Sequence, residues 1–281
     1  VAITKSILLG INRISTITAS SELGSFIDDN LLNQQPSELW KASAIPSPAV
    51  VTITGTFDRL RTIGGIALSN HNLDTETIRL ELSQVANFST TVYDNTWSTE
   101  SPYYSWGTGS WGDVNSTYGG FALSSTGIDS QFIKTFTGVY AEYYRVTIGG
   151  LAVVPQAGTL FLGEALTAGI ARDPSLPIID PSTVVMTRGQ SMRSDNQPTY
   201  REFRTRYVAL TQSQAHNFRL ICRETGRRKL VVFAMQPGSS GVDEVETQMV
   251  CRLVDWDGPS RIYETKGDAR YTASITFREA L

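Results

Sequence analysis

The residues able to carry chemistry are few and scattered. The 281-residue chain has two histidines, His71 and His216, and two cysteines, Cys222 and Cys251. No GxSxG, HExxH or Ser-Lys signature surrounds them, so hydrolysis by an activated serine or by zinc lacks its usual spacing. His71 sits in the strand-end motif Ser69-Asn-His-Asn72, where a neutral imidazole can satisfy local backbone groups. His216 falls on a short helix. Carboxylate pairs for glycoside cleavage are set by distance in space. Asp94, Glu100 and Asp113 are the first candidates, because they share one aromatic segment; solvent-facing loop acids are the bland alternative. Gly107, Gly109 and Gly112 spell GxGxxG, but a dinucleotide site needs a strand before and a helix after. Neither flank can supply one. The cysteines have no CxxC spacing and lie in apolar segments, so buried free thiols are expected. No catalytic residue, metal or cofactor is expected, and the chain reads as a non-enzyme.

The most unusual segment is residues 93–120, YDNTWSTESPYYSWGTGSWGDVNSTYGG. It carries Trp97, Tyr103, Tyr104, Trp106 and Trp111 among glycines and serines, with three charges. A long irregular segment inside a compact domain is usually functional or packed on something. Three readings stay open. The rings can stack on sugar faces, bury against a neighbouring subunit, or pack within their own domain. A second cluster is cationic: Arg201, Arg204, Arg206, Arg227 and Arg228. A nucleic-acid surface wants a contiguous basic face, and Glu202 and Glu224 interrupt this one. Ion pairs between subunits are the preferred reading.

These residues need elements to position them. Val51, Ile53 and Gly55 alternate with threonines, the period-2 sign of a half-buried strand, followed by a turn at Asp58-Arg-Leu-Arg-Thr62. Ile63 to Leu68 runs without polar interruption and predicts a strand buried on both faces. Thr77–Leu82, Phe132–Phe136 and Tyr143–Ile148 are further strands, and Trp40 is expected as a core or loop anchor, not a ligand contact. Residues 167–182, rich in Pro, Gly and Asp, read as a linker or extended arm. Beyond it, Tyr200–Leu210 predicts a strand with Phe203, Tyr207 and Ala209 on one face. Thr211 and Gln214 form a capping box for a helix that Gly226 ends. Strands at 229–235, 245–256 and 269–279 complete a small sheet around one helix.

Composition agrees. Thr, Ser and Gly are abundant, which favours β structure. Net charge is −3, unevenly spread. Residues 1–165 hold 8 Lys and Arg against 14 Asp and Glu, while residues 166–281 hold 16 against 13. No apolar run approaches the ~20 residues of a membrane helix, and no signal peptide is visible. Synthesis in a cytoplasm, without membrane insertion, is expected.

The order Asn30-Leu31-Leu32, Pro36-Ser37, Trp40, a strand, then Ile63 to Asn72 resembles the discoidin-like β-sandwich found in many bacteriophage tail proteins. Tyr144–Ile148 and Leu160–Leu166 resemble closing strands of that family, so the likeness covers roughly the first 165 residues. The second part is similar, at the level of fold, to phage tail-tube and tail-tip proteins. The resemblance implies a discoidin-like, jelly-roll-like sandwich over 1–166, a linker over 167–182, and a ring-forming β domain with one helix over 183–281. It implies a structural virion protein of a long-tailed phage (a siphophage), in the distal tail or tail tip. The chain would form a hexameric or trimeric ring and contact tail tube, tape-measure, hub and fibre proteins. The alternative is a carbohydrate-binding module that grips cell-surface glycan. No nucleic-acid partner is expected. In related sandwiches acids near Asp28 and Asp29 help hold calcium, but two aspartates fall short of about six to eight oxygens.

Overall fold

The computed structural model describes residues 4–73, 75–99, 131–171, 174–186, 192–195, 197, 199–235, 247–265 and 268–280. They form β1 (Thr4–Asn12), β2 (Ile14–Ala19), β3 (Trp40–Lys41), β4 (Val50–Ser69), β5 (Thr77–Ser83), β6 (Thr91–Ser98), β7 (Gln131–Gly149), β8 (Gln156–Ala157) and β9 (Thr159–Ile170). Then follow β10 (Ile178–Ile179), β11 (Thr183–Met186), β12 (Met192–Asp195), β13 (Tyr200–Leu210), α1 (Gln212–Thr225), β14 (Leu230–Ala234), β15 (Gln248–Trp256), β16 (Ser260–Thr265) and β17 (Asp268–Glu279). The protein is mainly β, as expected.

The first unit is a sandwich built on two long strands. β4 and β7 pair antiparallel in two stretches, 50–56 with 143–149 and 61–69 with 131–141, separated by register shifts. The first stretches join β2, β5 and β6 in one layer; the second join β9 in the other. Val51, Ile53, Leu80 and Val146 from one layer meet Leu68, Phe132, Leu160 and Leu162 from the other in a single core. Trp40 is fully buried there, and its indole N–H donates to the Ser21 carbonyl at 3.1 Å.

The turn expected at residues 58–62 is instead a bulge inside β4. Phe57 to Leu60 oppose the single Glu142. Phe57 stays buried, its ring 5.5 Å from that of Tyr144, so the chain does not leave the sheet. Asp58 turns outward and takes both Nε and Nη2 of Arg61, at 2.8 and 2.6 Å. An extra residue or more on one strand raises local twist and bends it, which carries β4 from one layer to the other. Likewise 132–136 and 143–148 are parts of one strand.

The second unit closes on itself. Neighbours run β1, β9, β13, β17, β15, β14 and back to β1, a six-stranded barrel. Tyr207 opposite Ile170 is the register pair that joins β9 to β13. Leu8, Leu166, Phe203, Tyr207, Phe233 and Phe277 fill the interior. Phe203 lies 4.5 Å from Phe233, and Phe233 lies 4.7 Å from Phe277. The helix forms as its capping box predicts: the Thr211 hydroxyl accepts from Gln214 N–H at 3.2 Å, and Gln214 returns the bond at 2.9 Å. Gly226, at φ 53°, supplies the left-handed residue that ends it. α1 buries Ala215, Phe218, Ile221 and Cys222 on the barrel. Both cysteines are buried free thiols.

Three expectations change. β1 and the end of β9 belong to the barrel core, so the strand at 159–170 runs through the expected boundary at 166. The expected arm is packed: Ser175 bridges to Arg204, and β10 pairs with the start of β13. Ala209 does not face the core. A register shift between Tyr207 and Leu210 puts Ala209 at φ 54° and exposed, and Leu210 takes the buried position.

Gly55 marks the closest approach within the sandwich. A Cβ there would overlap the Thr16 carbonyl oxygen of β2 and crowd the Tyr144 hydroxyl, which itself donates to that carbonyl at 3.0 Å. Gly55→Ala is therefore expected to lower stability by about 1–3 kcal/mol, the usual cost of overpacking, in urea denaturation.

Candidate functional site

β6 is the edge strand that leads into the Trp-rich segment. Its residues alternate, so Tyr93 and Trp97 point one way and Asp94 the other. Tyr93 and Trp97 pack on the sandwich core. The Tyr93 ring stacks on Phe136 at 4.1 Å, and Trp97 meets Phe132 edge-on at 6.0 Å. Of the three readings left open for the aromatics, Trp97 thus takes packing within its own domain, as a partly buried ring. Apolar rings of β7 lie directly beneath it and claim its face. Tyr103, Tyr104, Trp106 and Trp111 lie outside the described residues, as do Glu100, Asp113 and the GxGxxG run.

On the outer face of the same layer runs a ladder of charges. Arg79 donates two hydrogen bonds to Asp94, at 2.8 and 2.6 Å. Arg145 donates two to Glu81, both at 2.6 Å, and lies 4.5 Å over the Phe88 ring. Arg79 also reaches Glu81 at 3.2 Å. The bidentate bond from Arg79 holds the Asp94 carboxyl below its ordinary range. A general acid needs the opposite shift. Asp94 is a partner in a cross-strand ion pair, and no acid role follows from its surroundings.

The arginines divide in two groups. Arg201 is buried, and its backbone N–H, Nε and Nη2 all bond Glu279, at 3.0, 3.0 and 2.6 Å. It is not free to pair with another subunit. Glu279, on the neighbouring strand β17, already engages it, and its side chain is buried. Arg204 turns back to Glu202, at 2.8 and 2.5 Å, which also spends it within the chain. Arg227 reaches Asp255 at 3.8 Å with both side chains largely exposed, a weak pair. Arg206 and Arg228 are exposed, with no carboxylate within ion-pair distance among the described residues. Replacing Arg201 with Ala strands a buried carboxylate. A loss of about 3–5 kcal/mol is expected in chemical denaturation, far above the effect of Arg206→Ala.

His71 behaves as its motif suggests. Nδ1 accepts the Leu73 N–H at 3.2 Å, which leaves the ring proton on Nε2. Nε2 is buried with no hydrogen-bond partner among the described residues. Burial pushes the His71 pKa down to about 4, against a smaller upward pull from the Glu76 charge. The unfolded imidazole titrates near 6.5, so between these values the unfolded chain binds the extra proton. Stability contributed by neutral His71 is complete above pH 6.5 and falls as pH drops toward 4. The full loss is on the order of 3 kcal/mol. Urea titrations at stepwise pH should show this loss, relative to His71→Asn, which keeps an acceptor for Leu73 and removes the proton.

The acidic loop at Asp28 is structural in part: Asp28 accepts the Ala19 N–H at 2.9 Å. Glu22 is raised by desolvation and then by its hydrogen bond and repulsion with Asp28. Among the described residues no group of three or more His, Cys, Asp or Glu is placed to hold a metal. Cys222 is pushed up by burial to about 12, and Cys251 likewise lies well above a free thiol. Neither is poised as a nucleophile.

No protein-family model and no curated protein matches the chain. Solved structures resemble part of it. The CBM32 of AlyQ, in complex with 4,5-unsaturated mannuronic acid, is 19% identical; the match covers 53% of this chain and 94% of that one, with a TM-score of 0.35. The chitosan-binding module 1 of a chitosanase/glucanase from Paenibacillus sp. IK-5 is 16% identical over 55% of this chain and 97% of that one, with a TM-score of 0.36. A pectin-binding carbohydrate-binding module is 13% identical over 55% and 93%, with a TM-score of 0.38. The likeness is one of fold. It covers about half of this chain and carries no statement about ligands.

Sequence reasoning reached the Trp-rich segment and the arginines as types. It missed which of them were already spent. Trp97 was marked by its i+4 spacing from Tyr93 on a strand, which puts both rings on one face. The Arg201–Glu279 pair left no local trace, because its partners are 78 residues apart.

Proposed function

We propose that this protein binds carbohydrate, with the sandwich as rigid platform and the segment after β6 as the gripping surface. One observation carries the reading. β6 and β7 bracket residues 99–130, and both belong to the same well-packed sandwich. A segment so anchored carries Tyr103, Tyr104, Trp106 and Trp111 with few charges, the composition of a surface that stacks on the apolar faces of sugar rings. Trp97 at its root is committed to the core, so it serves as an anchor for the strand from which the segment departs. On this reading the chain has no reaction to catalyse.

A second reading keeps the chain as a structural part of a phage tail, with the barrel unit assembling into a ring. The continuity of the sheet from barrel to sandwich favours it, because a ring component must hold its outer module in a fixed attitude. Light scattering of the full chain tests it: a monomer at all concentrations up to about 100 μM, far above the Kd range of stable assemblies, would remove this reading.

The leading reading is tested with a panel of neutral and acidic polysaccharides in affinity electrophoresis and calorimetry. Trp106→Ala and Trp111→Ala should weaken binding at least about tenfold each, the scale of one lost aromatic anchor, without a change in melting temperature. Trp97→Ala should lower the melting temperature and leave binding by the folded fraction intact. Retention of no polysaccharide, or equal retention by the Trp106 and Trp111 variants, would overturn it.

A further inference from the structure

A groove rich in arginine lies on the outside of the barrel. Strands β14, β15, β17 and β13 are neighbours, and one row across them reads Leu230, Arg252, Arg278, Glu202. Arg252 and Arg278 stand directly opposite each other. Side chains so placed start about 5 Å apart, and like charges there repel. The two line an open groove of about 410 Å³ with Arg227, Val254, Ala280 and one acidic residue, Glu279.

The nearby carboxylates do not discharge this groove. Glu279 is engaged by Arg201 and accepts from Gln131 Nε2 at 3.2 Å. Glu202 holds Arg204 closely and reaches Arg278 only at 3.5 Å. Asp255 is 3.8 Å from Arg227, in solvent. Arg252 has no carboxylate at all among the described residues. Its Nη2 donates to the neutral Gln34 carbonyl at 2.6 Å, and its Nε is buried without a partner. Among the described residues, the guanidinium groups of Arg204, Arg227, Arg252 and Arg278 therefore have two carboxylates, Glu202 and Asp255, within ion-pair distance.

Two of these groups are also held in place. The Arg278 guanidinium lies over the Tyr200 ring at 4.7 Å, which fixes its plane and leaves its N–H edge for an acceptor. Arg252 is pinned through Gln34. A pair of fixed cations facing one groove has little entropy left to lose on taking an anion.

We propose that this groove binds an oxyanion, a carboxylate, phosphate or sulfate, bridged between Arg252 and Arg278 with Arg227 at its mouth. The bound group would replace the repulsion of the opposed arginines with charge-assisted hydrogen bonds, which are about twice as strong as neutral ones. The anion can come free in solution or as the acid group of a uronate polymer. This site lies on the barrel and stands whether or not the Trp-rich segment binds sugar.

The test uses the full chain at fixed ionic strength, set with chloride. Phosphate, sulfate and oligogalacturonate are titrated by thermal shift and calorimetry. Saturable binding is expected, weakened about tenfold or more in Arg278→Gln and in Arg227→Gln, and unchanged in Arg59→Gln on the sandwich. Both groove variants remove exposed charges, so they should fold; Arg252→Gln is read only if its melting temperature is retained. Tighter binding of oligogalacturonate, competing with phosphate, assigns the anion to a polymer; phosphate binding without such competition assigns it to a free ion. The proposal fails if no anion binds beyond the chloride control, or if Arg278→Gln and Arg227→Gln bind as the parent does.

Discussion

The architecture depends on one apolar seam. Ala67, Ile133 and Phe161 of the sandwich meet Leu9, Leu230, Val232 and Val250 of the barrel in a cluster of their own. These seven residues are almost fully excluded from water, and burying the six that are larger than alanine contributes on the order of 10 kcal/mol. Units joined by a large apolar contact do not behave as beads on a linker. The backbone enforces the same thing. β9 sends Leu160 and Leu162 into the sandwich core, Phe161 into the seam, and Leu166 and Ala168 into the barrel core. One strand is therefore common to all three clusters, and neither unit can move without breaking its ladder.

Polar groups fix the rim of that seam. Gln34 accepts from Leu230 N–H through its side chain at 2.7 Å and from Arg252 through its carbonyl at 2.6 Å. Gln131 accepts from Val250 N–H at 2.8 Å and donates to Glu279. Each glutamine meets two demands of the opposite unit, Gln131 with its side chain alone and Gln34 with its side chain and its backbone carbonyl. Buried backbone groups at a contact between sheets need such partners, because an unmade hydrogen bond costs about 1–3 kcal/mol. The apolar seam sets the attraction; the glutamines set the register.

Much of this was legible in the sequence, and the failures have a common cause. Local signals held: alternation at Val51 and Ile53, the capping box at Thr211, Gly226 beyond the helix, and Trp40 as a core residue. The uninterrupted run Ile63 to Leu68 was legible as doubly buried, and the seam explains it, since Leu68 faces one core and Ala67 the next. What misled was any feature decided at long range. Asp58-Arg-Leu-Arg has turn composition, but Phe57 is held by Tyr144, which lies 87 positions away, so the chain bulges instead of turning. Ala209 fits an alternating pattern, but barrel closure at Tyr207 and Ile170 shifts the register just beyond it. Arg201 resembles its exposed neighbours in the sequence and differs only in having Glu279 beside it. Alternation reports which face a residue is on; it cannot report what has already been placed on that face.

The uneven charge of the chain gains a location in the same way. On the outside of the sandwich, Arg61, Arg79 and Arg145 are each clamped by a carboxylate in a bidentate fashion. The excess acids of that unit thus sit elsewhere, in loops such as the one around Asp28. Around the groove on the outside of the barrel the order reverses: among the described residues, guanidinium groups outnumber the carboxylates within ion-pair distance. Since the seam prevents the two units from reorienting, this acidic and this basic surface cannot fold onto each other to cancel. Their charges remain available to molecules outside the chain, which is a property a sheet protein with self-satisfied ion pairs on every face would lack.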